Sequence, residues 1–290
     1  MMKKIAILGC ENSHANAFLS EIRENTAYAD VQVVGVYSDS PEAAQKLHET
    51  FDVPVLSHYA DAVGKIDGLI ITARHGDSHY KFAKPYIQSG IPMFVDKPIT
   101  VSEQDARDFA KQLAQYGVRV SGGSSLKQDV YVAQLKQAAL QQSGGRTLGG
   151  FVRAPYQSEN AYGGFYFYAQ HLVEMVCEIF GRFPLCVSAV QNGDCIHVLF
   201  HYEQYDCVGM FCDNNYNYVA CRMSESGAEC INIPSTQAWF AREFAEFYGL
   251  LSNRAQPLSY EEFFSPVFIL NAIDRALQSG KAESVDRLVL

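Results

Sequence analysis

The chain has 290 residues, 48% of them hydrophobic and 19% charged, with a formal net charge of -9 at pH 7. Its length exceeds what one core usually organises, so two domains of roughly 100 to 150 residues each are expected. The acidic balance, without any Lys/Arg cluster, excludes the basic stripe that nucleic-acid phosphates demand, and no apolar run approaches the roughly 20 residues that span a bilayer.

In chain order, KIAILG (residues 4 to 9) reads as a buried strand and HANAFLSEIRE (14 to 24) as a helix, a strand-turn-helix unit. The unit recurs. VQVVGVYS, GLIITA and PMFVD read as strands, PEAAQKLHETF and SHYKFAKPYIQSG as helices, and SEQDARDFAKQLAQYG as a helix capped by Ser102 and closed at Gly117. Such alternation implies a parallel sheet covered on both faces. VRVSGG and a helix to about residue 142 follow, with the domain boundary near residue 120. From residue 148 the texture becomes β-rich (VSAV, CIHVLFHYE, CVGMFCD, YVACRMS, CINI), which predicts an open, largely antiparallel sheet. A helix is expected at 170 to 180 before those strands, and two after them, near 236 to 252 and 260 to 278. The fold class is therefore α/β, a doubly wound Rossmann-type domain (1 to 120) followed by an α/β domain (121 to 290).

The eight cysteines carry no CxxC pair, and seven lie on apolar segments of the second half, so reduced core thiols are expected. Cys207 with Cys212, or His197 with His201, is thin support for a metal, and none is expected. The start MMKKIAILGC shows no signal-peptide cleavage site, which predicts a cytoplasmic protein.

The loop ILGCENSHA (7 to 15) stands where a dinucleotide fold places G-x-G-x-x-G ahead of a helix whose N-terminal N–H groups receive pyrophosphate. Gly9 fits the pattern; Glu11 and His14 occupy the other two glycine positions. Glu11 brings the wrong charge for phosphate, whereas Asn12 or Ser13 can cap the helix. At the end of the second strand Ser38 and Asp39 stand where an acidic residue would bond the adenosine ribose, and residues 37 to 45 supply no cation for a 2'-phosphate, favouring NAD over NADP. A plain capping role for Asp39 before Pro41 remains open.

With ARHGDSH (73 to 79), VDKPIT (95 to 100), GGFYFYAQHLVE (163 to 174) and ILNAIDRALQSGKAESV (269 to 285) in this order, the chain resembles the Gfo/Idh/MocA oxidoreductase family. The resemblance implies a nicotinamide dinucleotide held between a Rossmann domain and an open-sheet domain, action on sugars, inositols or related polyols, and a homo-oligomer, a dimer or tetramer. Asp96, Lys97 and Pro98 match its Glu-Lys-Pro, with Lys97 near substrate and nicotinamide and Pro98 where the family often has a cis peptide. His79 matches the histidine that closes its Thr-Pro-Asn loop, here opened by Ala73, Arg74 and His75. His171 matches its catalytic histidine, Glu174 a following acid, and Phe167 replaces its aspartate.

Oxidising a secondary alcohol needs a proton acceptor, which His171 suits, and a cation that favours the developing alkoxide, which Lys97 suits. Glu174, three residues on along a helix, is placed to orient the imidazole, with Tyr168 as the other candidate. Tyr162 and Tyr166 are candidate pocket walls, and Lys127 and Arg153 candidate substrate contacts. Read by itself His171 fits a satisfied core histidine better than a working base, and the resemblance reverses that order. A family-like ligand-binding or regulatory protein without chemistry is the alternative function, and transient oxidation during glycoside cleavage a third.

Overall fold

In the computed structural model, which describes residues 2–234, 236 and 238–290, two sheets carry the molecule. The first is built from β1 (Lys3–Leu8), β2 (Val31–Tyr37), β3 (Gly68–Ile71), β4 (Met93–Asp96) and β5 (Val120–Gly123). All neighbours pair parallel, in the order β2-β1-β3-β4-β5. Its strands are buried on both faces, so β3 and β4 show no alternation at all. The crossovers carry α1 (Ser13–Glu24), α2 (Pro41–Phe51), α3 (Asp77–Ile87) and α4 (Glu103–Gln115). Pro41 opens α2, where a missing N–H costs nothing, and Ser102 caps α4 by accepting from the Asp105 N–H.

A 3₁₀ turn at Ser125–Gln128 and α5 (Val130–Leu140) lead into the second sheet. The single helix expected to residue 142 is thus broken, because Asp129 turns its side chain to cap α5 at Tyr131 N and Val132 N. The sheet comprises β6 (Thr147–Tyr156), β7 (Cys186–Asn192), β8 (Cys195–His201), β9 (Asp206–Asp213), β10 (Tyr218–Ser224), β11 (Gly227–Ile233) and β12 (Glu283–Ser284). Their order is β11-β10-β6-β9-β8-β7-β12, with β6 and β9 parallel and every other pair antiparallel. One face of this sheet is covered by α6 (Phe165–Phe180), which begins five residues earlier than expected.

Two more helices, α7 (Ala238–Leu251) and α8 (Tyr260–Ser279), tie the halves together. Phe244 and Phe247 of α7 join Ile5, Ile7, Ile70 and Phe94 on one face of the first sheet. Phe263, Phe264 and Phe268 of α8 join its other face, while Ile269, Leu270 and Ile273 of the same helix enter the second core. Leu251 of α7 packs closely over Gly68, where a Cβ would lie 2.4 Å from its methyl. No helix among the described residues is long and apolar enough to cross a membrane.

Two expectations need correction. The central strand β6 lies outside the segments expected to be β, because TLGGFVRAPY interrupts its apolar residues with two glycines and a proline. Nor are all cysteines reduced thiols: Cys221 and Cys230 stand directly opposite each other on β10 and β11 and are bonded as a disulfide. Cys195 and Cys212, also directly opposed, remain thiols with their sulfurs 3.4 Å apart.

Candidate active site

The carboxyl ends of β1, β3 and β4 bring three loops to one edge of the first sheet, where open α/β sheets bind ligands. Gly9, at φ +73°, turns the chain out of β1; a Cβ on it would sit 2.3 Å from the Ala73 nitrogen. The loop after β1 is thereby pressed against the loop after β3. Asn12 then caps α1, its Oδ1 accepting from Ser13 N at 2.8 Å while its Nδ2 donates to Asp96 at 2.8 Å. From this helix start a cleft of about 1080 Å³ runs to α6 and the start of α7.

Lys97 and His171 meet in that cleft, together with Tyr168. Lys97 follows β4 and precedes a cis peptide to Pro98. Its Nζ donates to the Phe167 carbonyl at 3.2 Å and lies 4.1 Å over the Phe167 ring and 5.0 Å over the Tyr168 ring. Among the described residues no carboxylate forms an ion pair with it. Burial lowers the Lys97 pKa, against the opposing pull of Asp96.

On α6, the Nδ1 of His171 is 2.7 Å from the Ser124 hydroxyl at the end of β5, and Nε2 has no partner among the described residues. Burial, with Lys97 adding to it, holds its pKa well below 6.5. The imidazole is therefore neutral at pH 7, as a proton acceptor requires. Tyr168 packs edge-on to it, ring centroids 5.2 Å apart, and Tyr218 does so at 6.2 Å.

Glu174 does not orient that ring. Its carboxylate accepts from Arg182 at 2.9 Å and from Gln170 at 3.3 Å, both buried, and reaches only the backbone N–H of Ser124, at 3.4 Å. Ser124, which sequence reasoning did not single out, is the residue that touches His171; it lies 47 positions away, with no local pattern to betray it.

The expected cofactor residues separate into cleft wall and support. Glu11, Asn12, Ser13 and His14 line the cleft. Glu11 fills the second glycine position with a carboxylate that accepts from Ser38 Oγ at 2.7 Å and Arg74 N at 3.0 Å. The His14 ring runs behind the loop, its nitrogens 3.1 Å from Asp96 and 3.2 Å from Glu243. Burial raises the Asp96 pKa to about 6 and that of Glu243 well above the usual range, and lowers that of His14. Such a row favours a shared proton over separated charges.

Ala73, His79 and Asp96 are buried behind the wall, His79 bonding the Ala73 carbonyl at 2.7 Å, with burial lowering its pKa to about 4. His75 is half-buried, beside Asp77. Ser38 is buried on Glu11, and exposed Asp39 accepts from Tyr37 OH at 2.7 Å. A cation does approach Asp39: α3 brings Lys81 to 3.4 Å, from outside the sequence window in which none was found. Of the remaining candidates, Tyr162 lines the cleft, whereas Tyr166 reaches Asp274 and Asn271. Lys127 pairs with Glu246 at 3.7 Å, and Arg153 donates to the Asn217 carbonyl at 3.0 Å. Arg74, Trp239 and Phe240 line the cleft without having been foreseen; the last two come from α7, where nothing local marks them.

A parallel sheet ordered β2-β1-β3-β4-β5, with a glycine turn opening a helix onto a cleft at its carboxyl edge, defines a dinucleotide-binding α/β protein. Residues 3–124 match the Gfo/Idh/MocA family model, described as "Oxidoreductase family, NAD-binding Rossmann fold". The whole chain shares its fold with solved inositol dehydrogenases. Scyllo-inositol dehydrogenase from Lactobacillus casei, with bound NAD(H) and scyllo-inositol, superposes with a TM-score of 0.83 at 16% identity, covering 98% of this chain and 99% of that one. Myo-inositol 2-dehydrogenase from Lactobacillus plantarum gives 0.85 at 12% identity, covering 99% and 100%. Myo-inositol dehydrogenase from Corynebacterium glutamicum gives 0.83 at 15%, covering 99% of each chain. No curated protein matches the chain by sequence.

Proposed function

We propose that the protein is an NAD-dependent oxidoreductase acting on a sugar, inositol or related hydroxy compound. The observation that carries this reading is the meeting of Lys97, without a carboxylate partner among the described residues, and His171, with a free Nε2, in the cleft that begins at the N-terminus of α1. The glycine turn and capped helix at one end of that cleft support dinucleotide phosphates, and the lysine-histidine pair supports a reacting alcohol at the other. When bound, it supplies the hydride acceptor. The chain's own part is to take the hydroxyl proton on His171 Nε2, hold the oxygen on Lys97 Nζ, and keep the imidazole turned by Ser124. Phe167, Tyr168 and Tyr218 exclude water around them.

Glu11 opposes the fit at the phosphate end. Fluorescence titration with NADH tests both points: wild type is expected to bind, and Glu11→Gln to bind about tenfold more tightly, about 1.4 kcal/mol. Unchanged affinity in the variant means the phosphates lie elsewhere. Absence of NADH binding in both proteins would turn the reading to the ligand-binding alternative.

The same proposal gives residues 1 to 120 to the cofactor and 121 to 290 to substrate and assembly, in a cytoplasmic homo-oligomer. Val190, Val208 and Met223, exposed on the outer face of the second sheet, support the assembly. Light scattering at micromolar concentration reads it directly, and a 32.3 kDa species alone would refute it.

A further inference from the structure

We infer that Arg74 makes the substrate end of the cleft an anion site, so that the substrate is a hydroxy compound carrying a carboxylate, such as a sugar acid, rather than a neutral polyol. This rests on the oxidoreductase reading and deepens it.

Arg74 leaves the carboxyl end of β3 and turns towards the second domain. Its Nη1 donates to the Tyr162 hydroxyl at 2.9 Å, and the guanidinium carbon lies 5.0 Å over the Tyr162 ring. Tyr162 packs on Phe167, centroids 5.0 Å apart, and Phe167 carries the Lys97 ammonium. One aromatic wall thus holds two cations. They feel each other, since Arg74 adds to burial in lowering the Lys97 pKa.

Neither cation has an anionic partner at ion-pair distance among the described residues. The carboxylates that line the cleft, Glu11, Glu21 and Glu24, belong to α1 and the loop before it. Glu11 meets Arg74 through the backbone N–H and not through the guanidinium. Around Lys97 and His171 the walls are Phe167, Tyr168, Tyr218 and Trp239, with no carboxylate among them. A half-buried cation without a counter-charge is costly, and a bound anion offsets that cost.

The chemistry of the side chain narrows the anion. A guanidinium presents five N–H donors in a planar fork, of which Tyr162 takes one, and the fork matches a carboxylate through two parallel hydrogen bonds. Because the same aromatic wall runs from Arg74 through Tyr162 and Phe167 to Lys97, a carboxylate on Arg74 and a hydroxyl on Lys97 belong to one ligand in this reading. Pyrophosphate is the other anion available to such a cleft. The guanidinium is engaged by Tyr162, and among the described residues no side-chain hydrogen bond joins it to the loop before α1 or to the start of that helix.

The test is calorimetry in the presence of NADH with matched pairs, D-glucuronate against D-glucose, D-galacturonate against D-galactose and quinate against myo-inositol, on wild type, Arg74→Gln and Arg74→Lys. At least one acid is expected to bind tenfold or more tightly than its neutral partner. Arg74→Gln is expected to abolish that ratio and Arg74→Lys, which keeps the charge but loses the fork, to restore only part of it. No preference for the acid in any pair overturns the inference, as does a preference that survives Arg74→Gln. So does a loss of NADH affinity in Arg74→Gln with the ratio unchanged, which would assign the cation to the cofactor. NAD reduction is followed separately: an acid bound through Arg74 but never oxidised sinks the oxidoreductase reading and leaves the anion site, whereas a neutral polyol oxidised equally well by wild type and Arg74→Gln does the reverse.

Discussion

Replacing His171 by alanine is expected to lower turnover by about 10²-fold or more while NADH binding persists, because the proton acceptor is lost and the phosphate end of the cleft is untouched. Lys97→Met should cost a similar factor, about 10², by removing the charge at the developing alkoxide while its stem still covers the Phe167 ring. Both are read by steady-state kinetics beside a melting curve. The pH profile separates chemistry from packing. Since burial and Lys97 hold the His171 pKa well below 6.5, the neutral imidazole persists as pH falls through 6.5, so oxidation should stay level from pH 8 to 6.5 and decline only below. Full turnover in His171→Ala on an oxidised substrate would make the histidine structural; an unfolded variant would place it in the core.

The second large effect is one of stability. Arg182 is buried between Glu174, at 2.9 Å, and Glu178, which also receives Lys136 at 2.7 Å. Arg182→Met leaves Glu174 buried without a cation and Glu178 with Lys136 alone, a loss of about 3 kcal/mol and a fall in Tm on the order of 10 °C. Burial works to raise the Glu178 pKa, but Arg182 and Lys136 outweigh it and hold it below 4.5. A depressed carboxyl stabilises the fold above its unfolded pKa and loses that contribution as pH falls. The gap between wild type and variant should therefore shrink below pH 4.5, by urea denaturation at each pH. A gap of less than 1 kcal/mol at pH 7, about a fivefold change in the folding constant, would sink the assignment. Glu174→Gln belongs with this group: its main cost is expected in stability.

What could be read in the residues was what short-range pattern encodes. The βα alternation of the first sheet shows because apolar runs and helix caps are local, and Lys97 and His171 show because each sits in a recognisable motif. Partners brought by tertiary folding do not show. Glu174 shares a helix face with His171, yet its carboxylate goes to Arg182, eight residues on, because a buried cation outbids a neutral ring. Lys81 reaches Asp39 across 42 positions and Glu243 reaches His14 across more than two hundred, beyond any window. β6 was hidden for another reason. Its proline pairs only towards β9, past the point where β10 stops, so a residue that argues against a central strand is accommodated there.

The two closing helices also set the order in which the molecule can be made. During synthesis the first sheet leaves the ribosome with its five strands and four crossover helices complete, but Phe244, Phe247, Phe263, Phe264 and Phe268, which finish its two faces, emerge more than a hundred residues later. The first sheet therefore waits, with apolar surface open to chaperones or to other nascent chains, until α7 and α8 have been made.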